Sequence, residues 1–500
     1  MAFNSSTNKV ATKRIVKVVE TRTTAKFTIE DDRVIDRVLD GRGKCSIVNE
    51  EKIGESLQFD GTVYFSLLFL TGSNQFDSET LVIDFQEKTQ VADAESVAIL
   101  PEIKSYKFSK EGDKVISVVL DIETKIYGTT QDDIKAVVGE EDGYYAQSKI
   151  LEIDKLVCTT NSSFVLNEDF DLPDAVAKVI YLDGRASLTK AISNDNFVTL
   201  VGNVVVDMVY LAQDNIKKIQ KVIEFNQEVS CLNATSETVL DVMMSEKRVD
   251  VNTSINESGD RTACSLEVVL GVCLWGYSKM EINVITDVFS DKKTLNISAT
   301  SFENTKSLGM RFYSDRQNIT IDMEDKKRID EVIVLANPKV KVERATIDNS
   351  NAIVEGSLLI PVIFKNYDSE DVYSTILQTP YKLTWLVDEL LNAPMVNVEI
   401  VARCNSYKNK AGKDLSLTID FDGMFSIYET SIESYISKIE EIGECPNNNY
   451  SIVIYKPEEK EGVFEIAKKL CISPDVLMAQ NPQIEDGKEI SKVVIYKRNN

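Results

Sequence analysis

The sequence predicts a mainly β protein: three repeated sandwich-like or barrel-like modules followed by a small βααβ unit. Three observations carry that expectation. A glycine-led alternating run occurs three times, as DGTVYFSLLFL at 60–70, VGNVVVDMVYL at 201–211 and EGSLLIPVIF at 355–364. A second alternating run follows each of them, VVLDIETKIYG from Val118, LEVVLGVCLWG from Leu266 and LTIDFDGMFSI from Leu417. Beyond residue 445 the apolar period then changes from two to that of a helix.

Counted from Gly61, Gly202 and Gly356, every second side chain is apolar: Val63, Phe65, Leu67 and Phe69; Val204, Val206, Met208 and Tyr210; Leu358, Ile360, Val362 and Phe364. One wholly apolar face at a period of two is what a half-buried strand requires. The glycines lie 141 and 154 residues apart, so the recurring object is a domain, not a strand. The later runs repeat the pattern with Val118, Leu120, Ile122 and Ile126; Leu266, Val268, Leu270 and Leu274; Leu417, Ile419, Phe421 and Phe425. Each follows a polar turn, KEGDK at 110–114, ESGDR at 257–261 and KAGKD at 410–414, as hairpins do. The expected domains are 1–160, 161–300, 301–445 and 446–500.

In chain order, the first copy opens with KRIVKVV. Val34, Ile35, Val38 and Leu39 in the charged segment 30–40 have the spacing of one or two amphipathic helical turns. After the glycine-led strand comes LVIDFQEKTQV at 81–91, matched by KVIEFNQEVSC at 221–231 and loosely by STILQTPYKLTW at 374–385. Each copy leaves through a polar stretch, at 128–144, 279–298 and 430–444. DGRASLTKA at Asp183 echoes DGRGKCSIV at Asp40, and a turn that starts a strand accounts for both. Trp275 and Trp385 read as packing residues.

Composition narrows function. The net charge of −24 argues against wrapping nucleic acid or adhering to anionic lipid, and no run approaches a membrane span. The N-terminus lacks the apolar core of a signal peptide. Eight scattered cysteines without a CxxC pair suit reduced thiols in a cytoplasm. With no histidine in the chain, Ser-His-Asp and Cys-His nucleophiles, HExxH metalloproteases and imidazole acid-base chemistry are excluded. Acidic pairs such as Asp31-Asp32, Asp132-Asp133 and Glu140-Glu141 fall in hydrophilic, turn-like stretches, and GRGK at Gly41 lacks the spacing of a phosphate loop. No catalytic residue, metal site or cofactor is expected, so the chain reads as a non-enzyme.

The C-terminal unit begins with a strand, YSIVIY at 450–455, and a charged loop, KPEEKEG. Val463, Ile466, Ala467 and Leu470 then form one helical face. Ser473 caps a second helix with Pro474 at its first position and Val476, Leu477 and Met478 on its buried side. The helix ends at AQNPQI, and KVVIYK returns as a strand.

VFEIAKKLCISPDVLMAQNP resembles the core of a LysM domain. Three β repeats ending in one such domain also resemble the SipL-type spore-coat morphogenetic proteins, built from SPOCS domains. That resemblance implies a non-enzymatic adaptor in the mother-cell cytoplasm, at the forespore surface, whose LysM end docks on the ATPase forming the coat's basement layer, among other coat proteins. It implies partner or glycan contacts from the two LysM loops, at Pro457, Glu458, Glu459, Gly462 and Val463 and at Met478, Asn481, Pro482 and Gln483. The usual Gly-Asp-Thr turn of glycan-binding LysM loops is replaced by 456–462, which favours a protein partner. Two alternatives stand beside this: a cell-wall protein binding peptidoglycan, and a spore-surface subunit whose β repeats self-associate through strand edges.

Overall fold

The computed structural model describes residues 4–28, 34–91, 94–138, 143–213, 215–256, 258–322, 329–348, 350–366, 371–387, 394–410, 414–445, 452–459, 461–484, 490 and 492–496. Within them the chain is mainly β. Six strands make the first unit: β1 (Asn4–Thr28), β2 (Ile35–Ile53), β3 (Ser56–Thr71), β4 (Phe76–Gln90), β5 (Ala94–Lys110) and β6 (Val115–Val138). They form two antiparallel sheets, ordered β2-β3-β4 and β1-β6-β5. The second unit repeats that order with β7 (Tyr144–Asp171), β8 (Lys178–Asn194), β9 (Phe197–Ala212), β10 (Asn215–Ser230), β11 (Val239–Ser254) and β12 (Ala263–Ser290), as β8-β9-β10 and β7-β12-β11. The third uses β13 (Lys293–Asp322), β14 (Ile329–Leu335), β15 (Lys339–Asp348), β16 (Asn351–Asn366), β17 (Val372–Leu386), β18 (Pro394–Lys410) and β19 (Asp414–Glu444). There β14 and β15 together flank β16, with β17 on its other side, and the second sheet runs β13-β19-β18. The expected boundaries at 160/161 and 300/301 lie inside β7 and β13.

The two sequence landmarks are the central strands of these sheets. The apolar faces of β3, β9 and β16 meet those of β6, β12 and β19, and all twelve alternating residues of the glycine-led runs are buried. Each leading glycine sits beside a bulge in the preceding strand and directly opposite an aromatic residue in the following one. Gly61 pairs with Phe85, Gly202 with Phe225 and Gly356 with Tyr381, and the bulges lie at Ile47/Asn49, Leu188/Lys190 and Val342/Arg344. A Cβ on Gly61 would lie 2.3 Å from the Phe85 ring; on Gly202 and Gly356 it would lie 2.2 and 2.0 Å from the Ser187 and Lys341 carbonyl oxygens. Lack of room for a side chain, not backbone freedom, fixes glycine there.

Several expectations are corrected. Val34 lies just before β2, and Ile35, Val38 and Leu39 are in it rather than in helical turns, because Ile35 and Val38 pair with β3 and Leu39 sits at the bulge between Val38 and Asp40; residues 30–33 lie outside the described residues. Both DGR motifs are mid-strand rather than turns and occupy different registers, Asp40 opposite Leu68 and Asp183 opposite Asp207. Their charges join units: Arg185 reaches Asp183 at 3.0 Å and Arg42 lies 3.9 Å from it. Burial alone would raise the Asp183 carboxyl, but Arg185, Lys44 and Arg42 hold it down to about 2. Asp132 and Asp133 are exposed in β6, whereas 31–32 and 140–141 lie outside the described residues, as do Glu257 and 411–413 of the polar turns.

The polar connectors are also strands. The stretches 128–138, 279–290 and 430–444 continue β6, β12 and β19 beyond the sheets, paired with the first halves of β1, β7 and β13. These three two-stranded ribbons pack on one another as a stem, burying Val10, Ile134, Leu151, Ile153, Ile282, Val284 and Tyr435, and further along Val137, Ile285, Val288 and Ile436. Their outer faces are polar apart from exposed Ile150, Ile432 and Ile442, which is why they read as connectors.

The units close in a cycle. Lys44 of the first donates to the Gly184 carbonyl, and Thr129 and Tyr277 share a 2.8 Å hydroxyl contact. Lys218 of the second donates to the Leu335 carbonyl at 2.9 Å, and Asp241 accepts from Ser426 at 2.8 Å and Tyr428 at 2.6 Å. Lys339 of the third returns to the Ile103 carbonyl at 2.6 Å, and Arg37 lies over Tyr373. Leu68 and Leu70, Val209 and Leu211, and Val334 and Ile363 share one apolar cluster among all three. Trp275 is buried between the first two units and Trp385 stacks on Tyr313, both packing roles.

The expectation of reduced thiols throughout is corrected as well. Cys158 of β7 and Cys231, just after β10, form a disulfide that ties the two sheets of the second unit together across 73 residues. Spacing could not show it, because only the sandwich brings those Cα atoms to 5.7 Å.

Candidate functional site: the C-terminal unit on the stem

Beyond β19 the chain builds β20 (Ile452–Tyr455), α1 (Val463–Leu470), α2 (Pro474–Gln480) and β21 (Val493–Tyr496), with β20 and β21 antiparallel. Ile466, Ala467, Ile472, Leu477, Val493 and Ile495 are its core. Gly462 has no side chain to cap α1, so Glu465 reaches back and accepts the Gly462 N–H at 2.9 Å. Ser473 caps α2 by accepting the Val476 N–H at 3.1 Å, with Pro474 following. Only Leu477 of the three expected buried residues is buried. A helix of seven residues offers the core a single position, and Val476 and Met478 stand in solvent.

The unit is anchored through α1. Lys468 Nζ lies 2.6 and 2.7 Å from the two carboxylate oxygens of Asp287 on β12. The Phe464 ring meets Phe289 edge-on at 5.1 Å, and Tyr145 lies against the same ring. Gln147 donates to Glu465 at 3.1 Å. Alternation along the end of the stem therefore places one aromatic and one carboxylate where α1 lies.

The first loop is closed on itself. Glu461 accepts from the Glu458 N–H and the Tyr455 hydroxyl, both at 2.9 Å, and pairs with Lys469, whose ammonium lowers the Glu461 carboxyl below its ordinary range. Pro457 is half-buried, Glu458 and Glu459 are exposed, and Lys460 lies outside the described residues. Gly462 and Val463 are half-buried at the start of α1. In the second loop Met478, Pro482 and Gln483 are exposed, but Asn481 is buried. Its amide donates to the carbonyls of Leu477 at 2.9 Å and Val494 at 2.8 Å and accepts the Val494 N–H at 2.8 Å. Gln483 donates to the same oxygen at 3.3 Å. Every polar atom of the Asn481 side chain is thus used inside the unit.

Three residues not singled out from sequence, Ile452, Ile454 and Tyr496, hold the other face. They are 56%, 64% and 58% exposed, while Val453 and Tyr455 pack inward. The signal was available, since IVIY is apolar on both faces while the helices cover only one. Among the described residues no group of three or more Cys, Asp or Glu side chains is placed to hold a metal ion, and no helix is long and apolar enough to cross a membrane. No protein family, curated protein or solved structure matches the chain.

Proposed function

We propose that the protein is a structural adaptor without catalytic activity, and that its C-terminal unit is a LysM-like module docking the chain on a protein layer. One observation carries this reading: α1 fixes the unit to the stem through Lys468, Phe464 and Asp287, so that the apolar outer face of β20 and β21 is turned to solvent. A stretch of apolar side chains held outward by a rigid body is the anatomy of a partner surface. The three six-position units, with the same strand order and the same glycine, aromatic and bulge, support descent from one repeated domain like those of spore-coat SPOCS proteins. On this reading, which rests on the resemblance and no longer on reduced thiols now that Cys158 and Cys231 are joined, the chain works in the mother-cell cytoplasm at the forespore surface, its partner being the coat's basement-layer ATPase. Internal use of Asn481 and the closed 457–462 loop favour a protein partner over peptidoglycan.

Co-sedimentation tests it. The intact chain should pellet with polymerised basement-layer ATPase and a chain ending at residue 445 should not. Equal pelleting of both would remove the docking role, and pelleting with purified peptidoglycan that needs 446–500 would replace it with glycan binding.

A further inference from the structure

With the C-terminal unit read as the docking element, its two strands determine how the partner is held. In an antiparallel pair each residue aims both its N–H and its C=O either at the neighbouring strand or away from it. Val494 and Tyr496 aim theirs away from β20. Val494 exchanges two 2.8 Å bonds with the Asn481 amide, and Tyr496 exchanges bonds of 2.7 and 3.1 Å with the Gln480 amide. The β21 edge is therefore closed by two side-chain amides that take the place of a third strand.

Ile454 stands opposite Val494 and Ile452 opposite Tyr496. By the same alternation their N–H and C=O groups point to the other edge, where no described residue bonds them. The exposed side chains of Ile452 and Ile454 border that edge. An open edge beside an apolar face is a template for one more strand, and soluble proteins ordinarily blunt it with charge, proline or a covering segment.

We propose that β20 is completed by strand addition: an extended segment of a partner protein, alternating in apolar residues and carrying net positive charge, pairs along Ile452 and Ile454. The backbone groups demand an extended occupant, and the apolar face demands alternation. Charge selects the partner. At −24 a second copy of this chain brings a repelling field, whereas a basic segment is drawn in by the charge of the whole molecule, exposed Glu458 and Glu459 standing beyond exposed Lys456 at the end of β20.

The test selects a random nonapeptide library on the full chain, counter-selected on the chain carrying Ile452→Glu and Ile454→Glu. Enriched peptides should alternate apolar residues with Lys or Arg and slow amide exchange at Ile452 and Ile454. They should bind at least tenfold more weakly when N-methylated at alternate residues in one register, and unchanged in the other. Peptides insensitive to N-methylation in both registers, or binding without protection of those two amides, would overturn strand addition, as would a dimer of the intact chain that protects the same amides. The docking reading fails separately, by retained co-sedimentation of the chain ending at 445, so the two failures are distinguishable.

Discussion

Gly356 shows what a single residue fixes in this fold. The Lys341 carbonyl lies where its Cβ would be, and the Tyr381 ring closes the other side. Gly356→Ala must move backbone at a bulge, so a loss of about 1–3 kcal/mol is expected from overpacking, measured as the urea midpoint of the intact chain. A second residue makes stability depend on pH. Glu399 of β18 is half-buried against Asp241 and Glu246 of the second unit and Lys125 of the first. Burial, then Asp241, pushes its carboxyl from 4.5 to about 7. The fold therefore holds a proton that the unfolded chain releases, and the associated stability, whole below pH 4.5, is lost as pH rises to about 7. Glu399→Gln should match the wild type near pH 4.5 and exceed it in unfolding midpoint at pH 8. An unchanged difference across that range would show that Glu399 is ionised in the fold.

At the scale of elements, the second unit departs from its neighbours at one edge. Val91, Cys231 and Val387 each follow the fourth strand position and donate an N–H to the opposing hairpin, at Glu55, Asn196 and Ser350. All three are buried, but only Cys231 is bonded to a partner strand. Reduction should lower stability by about 2–4 kcal/mol, read as a reductant-dependent urea midpoint, and a Cys158→Ala, Cys231→Val chain should be insensitive to reductant. Central strands were legible because period two, one apolar face and the turn residues between them all stand in the letters. The stem was not, since Ile282 and Val284 alternate with polar residues and their burial depends on ribbons more than a hundred residues away. Both C-terminal helices were legible from Ser473, Pro474 and the 463–470 face. Which sheet edge lacks a partner among the described residues was not, because it depends on where α2 places the amides of Gln480 and Asn481.

For the whole molecule, the cycle of contacts among the three units and the shared apolar cluster make one body from three modules. A body of that kind positions what is attached to its stem, and the C-terminal unit is attached there through α1. That division of labour, a rigid three-unit body and an outward docking module, is the central claim. It is tested most directly by imaging a fluorescent fusion in sporulating cells, comparing the full chain with one ending at residue 445. The account predicts a ring around the forespore for the full chain and diffuse mother-cell signal for the shortened one; a ring formed equally by both would contradict it.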